Sequence, residues 1–183
     1  MAYVLLLLVA ALAAWAVFAF NRLVRLRNQV RTAWADIDVQ LQRRHDLVPS
    51  LVAAVQAYAG HESATLQAVS ELRTQALAQA GPARLGEVET SLERELGRLV
   101  ALRESYPELK ADRNFAQLQQ ELVETEEQLQ YARRFYNGAV RDYNDGTQRV
   151  PDAFLARAFG FDGAEFFQAE AGSRDAVKVG IEP

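Results

Sequence analysis

"FAQLQQELVETEEQLQYARRFYNGAVRDY", residues 115–143, is the stretch whose spacing decides the fold. Phe115, Leu118, Leu122, Thr125, Leu129, Ala132, Tyr136, Ala139 and Tyr143 recur in an unbroken alternation of three- and four-residue steps. That period places them along one face of a single long α-helix. The segment's second half, "YARRFYNGAVRDYND" at 131–145, crowds four aromatic rings, three arginines, two asparagines and two aspartates into fifteen positions, which invites an active-site reading. Tyr136, Ala139 and Tyr143 nevertheless continue the stripe that Phe115 begins, so packing is their first role. Arg133, Arg134 and Arg141 fall off it and read as a solvated flank, with a binding face as the alternative.

Working outward, the same period runs through Leu23, Leu26, Val30, Trp34, Ile37 and Leu41, through Leu51, Val55, Leu66, Val69 and Leu72, and through Leu85, Val88, Leu92, Leu96, Leu99 and Leu102. "GP" at 81–82 ends one helix and starts the next, because proline suits a first helical turn. "SYPELKADRN" at 105–114 joins the third stripe to the fourth, with Asp112 as the candidate N-cap. In "RRHDLVPSLV" (43–52), Pro49 lacks the N–H that a helix interior needs. Asp46 capping a new helix there is favoured over a kink in one long helix. Helices this polar are marginal alone, so their apolar seams must find each other. The expected fold is all-α: an N-terminal transmembrane helix followed by an antiparallel up-and-down four-helix bundle with long helices. The expected boundaries are an anchor at 1–21, the bundle at 22–150, a Phe-rich short helical segment at 151–170 and a mobile tail at 171–183.

The anchor is legible in "MAYVLLLLVAALAAWAVFAF", where residues 2–20 carry no charge. At ~1.5 Å per residue they span roughly 28 Å, close to the ~30 Å hydrocarbon core of a bilayer. A cleaved leader is the competing reading, since "ALA" at 11–13 resembles a cleavage site, but no basic residue precedes the apolar run. Arg22, Arg25, Arg27 and Arg31 follow it. By the positive-inside tendency this predicts a single-pass protein of the cell (inner) membrane, its short N-terminus outside and its bundle in the cytoplasm.

Among 183 residues half are apolar, enough for a sizeable core, and the net charge of −4 recruits no nucleic acid. The absence of cysteine removes disulfides, thiolate metal sites and cysteine nucleophiles. His45 and His61 form no H-x-x-x-H, H-E-x-x-H or E-x-x-H spacing, so no metal site is expected. Glu121, Glu124, Glu126 and Glu127 interleave with the seam and read as a solvated face. No phosphate-binding loop or nucleophile elbow is present, and "GFDG" at 160–163 is too short and acidic to cradle a phosphate. No catalytic residue and no cofactor is expected.

"PDAFLARAFGFDGAEFF" at 151–167 holds five of the nine phenylalanines: Phe154, Phe159, Phe161, Phe166 and Phe167. Such a cluster must be covered by the bundle, another subunit or lipid. With Arg22 and Arg25, these five are the candidates for membrane-proximal or oligomer contact. Beyond them, "VKV" in the tail could add to a partner's strand.

The stretches "RNQVRTAWADIDVQLQRRHDLVPSLV" (27–52), "YAGHESATLQAV" (58–69), "YPELKADRNFAQLQQELVETEEQLQYARRFYNGAVRDYN" (106–144) and "FGFDGAEFF" (159–167) resemble the LemA family. The resemblance covers nearly everything from the anchor to residue 170. It implies a membrane anchor and a cytoplasmic antiparallel four-helix bundle, with no established catalytic activity and no cofactor. His45 stands where that family usually carries tyrosine and Ser50 where asparagine is common, while Gly138 softens the last helix. These departures bear on those side chains rather than on the fold. The function expected is a non-enzymatic structural or scaffolding protein that contacts the bilayer and forms a homo-oligomer. An adaptor that recruits a protein partner to the membrane is the alternative.

Overall fold

The computed structural model describes residues 1–167. The expected tail at 171–183, its "VKV", and the last residues of the 151–170 segment lie outside the described residues. Among the described residues all regular secondary structure is helical: α1 (Ala2–Ala59), α2 (Ser63–Ala78), α3 (Pro82–Ala101), a 3-10 turn (Leu102–Glu104), α4 (Pro107–Ala111), α5 (Arg113–Gln148) and α6 (Asp152–Ala158). They form two compact units, one of Met1–Leu41 with Glu126–Phe166, the other containing Gln42–Thr125.

In the second unit, four helices share one core. Val48, Leu51, Val55 and Ala59 of α1 pack with Leu66 and Val69 of α2, Leu92, Leu96 and Leu99 of α3, and Phe115 and Leu122 of α5. Leu109 on the short α4 closes the same core. The expected punctuation at 81–82 is present, with Pro82 starting α3 directly after Gly81, whose φ of 98° suits glycine. Asp112 caps α5, because the Phe115 N–H donates to its Oδ1 at 2.8 Å. That bond, with one from Tyr58 Oη at 2.8 Å, holds the Asp112 carboxyl below its usual range.

The expected new helix at Asp46 does not exist. Helix α1 runs unbroken through Pro49, and Asp46 instead accepts a hydrogen bond from Gln42 Nε2. A proline inside a helix leaves the carbonyl four residues earlier without its N–H donor. Here that carbonyl belongs to His45, and Arg73 Nε of α2 donates to it at 2.7 Å. The lost backbone bond is thus replaced across the core, so the helix continues. The chain leaves α1 only at Gly60–Glu62, which also splits the second stripe: Leu51 and Val55 belong to α1, while Leu66, Val69 and Leu72 belong to α2.

In the first unit, α1 packs along α5. Trp34 and Tyr136 meet edge to face at 5.3 Å between ring centroids. A Cβ on the buried Gly146 would lie 2.9 Å from Leu26 Cδ1, so glycine lets the two helices approach closely there. The residues before this packing are different in kind. Leu5, Leu6, Leu7 and Leu8 are 63–66% exposed, and residues 2–14 are exposed without exception. Helix α1 therefore opens with a stretch that is long and apolar enough to cross a membrane and that little of the protein covers.

Candidate functional site

Two constellations stand out, one in each unit. The first is built on the end of the apolar stretch. After α5 the chain turns through α6 into an irregular run to Phe166, and this run folds back on α1. Phe159 and Phe161 both meet Phe20 edge to face, at 5.1 and 5.6 Å. The Arg27 guanidinium lies 4.8 Å from the centre of the Phe161 ring, on its face. Arg22 pairs with the buried Asp152 at 3.1 Å, tying α6 to α1.

Helix α5 holds the other side of the run. Asn144 donates through Nδ2 to the Ala164 carbonyl at 3.0 Å and accepts from the Ala164 N–H at 2.8 Å. The Tyr136 hydroxyl donates to the Glu165 carbonyl at 2.8 Å. Burial and the Glu165 charge push the Tyr136 phenol up to about 12, so it stays a donor throughout the physiological range. Residues that looked like a reaction centre in "YARRFYNGAVRDYND" thus act as a clamp on the Phe-rich segment.

The candidates named from sequence separate by burial. Phe161 and Phe167 are buried, whereas Phe154, Phe159 and Phe166 are 68%, 60% and 41% exposed and make the segment's outer surface. Arg25 is exposed, and Arg22 is engaged with Asp152. Phe20, Leu155 and Phe159 wall an apolar groove whose other lining residues are Ala16 and Val17.

The second constellation is a buried ionic cluster. Arg44 and Glu89 are fully enclosed; Arg44 Nη2 donates to Glu89 Oε2, and His45 Nε2 lies 2.8 Å from Glu89 Oε1. Burial by itself would raise the Glu89 carboxyl, but the His45 hydrogen bond and the Arg44 and His45 charges outweigh it and hold the group below its usual range. The cluster ties α1 to α3 through side chains that are almost wholly enclosed. Among the described residues, no three or more His, Cys, Asp or Glu side chains come together as a metal-ligand group.

The model of the LemA family matches residues 33–180. The chain belongs to the LemA family. It is also similar to "Magnetosome protein MamQ 2" and "Magnetosome protein MamQ 1" of Paramagnetospirillum magneticum, each 25% identical over 186 aligned residues that cover 87% of this chain and 68% of the relative. "Magnetosome protein MamQ" of Magnetospirillum gryphiswaldense is 23% identical over 175 residues, covering 81% of this chain and 64% of the relative. The clamp and the Arg44–Glu89 pair both lie inside the stretch that the family model matches, apart from Phe20, Arg22 and Arg27.

In this LemA-family chain, sequence reasoning missed the ionic cluster. Its signal was present: Arg44 sits three residues after Leu41 and four before Val48, and Glu89 sits four after Leu85 and three before Leu92, so both occupy seam positions. Arg133, expected on the solvated flank, is 8% exposed. It lies one residue beyond Ala132 and faces inward because the buried face of α5 is wider there than a single-file seam, including Val140 and Thr147 as well.

Proposed function

We propose that the protein is a single-pass, membrane-anchored, non-enzymatic scaffold that self-associates at the cytoplasmic face of the membrane, with the helices after the anchor arranged as an antiparallel up-and-down bundle. One observation carries this reading: the uncovered apolar opening of α1 runs into the contact between Phe20 and Phe159, and Arg22 ties α6, which carries the exposed Phe154, to the same part of α1. An apolar surface of that extent requires a cover. Lipid accounts for the helix, and a second copy accounts for the exposed Phe154 and Phe166. The alanines at 10 and 14 give a small-x-x-x-small spacing that permits close helix approach in lipid.

The full-length protein in mild detergents is expected to run as a homo-oligomer by light scattering after size exclusion. Changing Phe154 and Phe166 together to serine is expected to shrink the assembly with helical content intact by circular dichroism. A wild-type chain that stays monomeric across mild detergents rules out the scaffold.

Orientation follows from Arg22, Arg25, Arg27 and Arg31 after the span. Because the chain has no cysteine, Ser105→Cys supplies a single exposed thiol. It is expected to resist impermeant thiol reagents in intact cells and to react after lysis; ready labelling of intact cells reverses the topology.

The adaptor reading has its own observation. In the first unit, Val39, Tyr131 and Phe135 are 63%, 63% and 51% exposed and line a shallow groove with Asp36, Gln40 and Gln128. Exposed aromatic residues beside polar ones are what a protein partner would use. A monomeric chain that retains a foreign protein, and loses it on Phe135→Ser, would favour this reading over the scaffold.

A further inference from the structure

We infer that the groove walled by Phe20, Leu155 and Phe159 is a phospholipid site, which takes one acyl chain of the leaflet on the side of the helical domain. This rests on the anchor reading above. Residues 2–20 span roughly 28 Å at ~1.5 Å per residue, so Ala16–Phe20 fall in roughly the last 6 Å of the hydrocarbon layer. Val17 is 62% exposed and Phe159 60% exposed, so the groove opens outward where only apolar matter is available to fill it.

The shape selects the occupant. Three bulky side chains, Phe20, Leu155 and Phe159, stand around the small Ala16, which makes a notch rather than a flat face. Neighbouring transmembrane helices pack by bringing small residues together at close backbone approach. The exposed Phe159 ring blocks such an approach, whereas a flexible acyl chain needs only the width of one methylene chain. The walls are also held in place without the ligand. The Phe20 and Phe159 rings rest on each other at 5.1 Å, and the Arg22–Asp152 pair at 3.1 Å fixes α6, which carries Leu155.

Exposed cations suit the headgroup. Arg25 follows Phe20 by five residues, roughly 7.5 Å further along the helix, and Arg157 lies between Leu155 and Phe159 in sequence. Basic residues at this level attract anionic lipid, so phosphatidylglycerol should enter in preference to phosphatidylcholine.

Tryptophan quenching by phospholipids brominated on the acyl chain near the headgroup tests the proposal on the full-length protein. The vesicles are phosphatidylcholine, with or without phosphatidylglycerol, the bromine being carried on one lipid or the other. In a Trp34→Phe variant, Trp15 alone reports whether the anchor is in lipid. In a Trp15→Phe, Trp34→Phe, Phe159→Trp variant, the introduced indole reports the groove, and circular dichroism verifies the fold of both. The expected result is loss of most emission from both reporters, with the groove reporter quenched more by brominated phosphatidylglycerol than by brominated phosphatidylcholine. Equal quenching by the two lipids supports an acyl-chain site without headgroup selection. A quenched Trp15 beside an unquenched groove reporter overturns the lipid site and leaves the anchor standing. If neither is quenched, the lipid site falls together with the anchor.

Discussion

Glu89→Ala is expected to destabilise the fold by about 3–5 kcal/mol, because it leaves Arg44 buried without its carboxylate. The two side chains are fully enclosed, and removing one partner of such a pair costs far more than the pair contributes over an apolar replacement. The urea midpoint of the full-length protein in detergent, followed by circular dichroism, measures the loss. A double change of Arg44 to methionine with Glu89 to leucine is expected to recover part of it, since the Arg44 charge goes together with its carboxylate, while His45 still loses its partner at Glu89 Oε1. The pH dependence follows from the Glu89 carboxyl, whose folded-state pKa lies below its ordinary value. Its stabilising contribution is therefore fully present above the ordinary carboxylate range and is lost as pH falls through the lower folded value. The wild-type midpoint should drop on acidification more steeply than that of the double variant. Parallel pH profiles would show that the pair carries no such linkage.

The reason this cluster escaped sequence reading also explains where that reading succeeded. Local signals were dependable wherever local geometry decides the outcome. The seam from Phe115 to Tyr143 is buried at every step except the half-buried Leu118, and Asp112 caps the helix that carries it. Gly81 and Pro82 likewise mark the α2–α3 turn. Pro49 shows the opposite case. The proline and Asp46 together form a valid helix-start signal, but Arg73, far along the chain, supplies the hydrogen bond that keeps α1 continuous. Arg44 and Glu89 are the same kind of case, since each occupies a seam position that only a charge from another helix makes tolerable. Of the Phe-rich segment, the cluster itself was legible. Its division into buried Phe161 and exposed Phe154, Phe159 and Phe166 depends on how Asn144 and Tyr136 fasten the run, which spacing alone does not encode.

Tyr136→Ala is expected to cost about 3 kcal/mol, the range for deleting a buried aromatic side chain. The ring is 3% exposed and packs edge to face on Trp34, so its removal opens a cavity between α1 and α5 within their unit. Tyr136→Phe keeps the ring and removes only the hydroxyl that donates to the Glu165 carbonyl, and is expected to cost about 1 kcal/mol. Comparing the two separates packing from clamping: hydrogen exchange at the Ala164 amide should accelerate in both variants, but the unfolding midpoint should fall chiefly in the alanine one. Alkali offers a third handle on the same atom. The phenol is raised from 10.0 to about 12, so it favours the neutral form in the fold, and its contribution is fully present below pH 10. That contribution is lost as pH rises through about 12, when the phenolate can no longer donate to Glu165. Tyr136→Phe lacks this titration, so its stability should decline less between those limits. If Tyr136→Ala abolished assembly in the membrane with an unchanged unfolding midpoint, Tyr136 would belong to a binding face rather than to the seam.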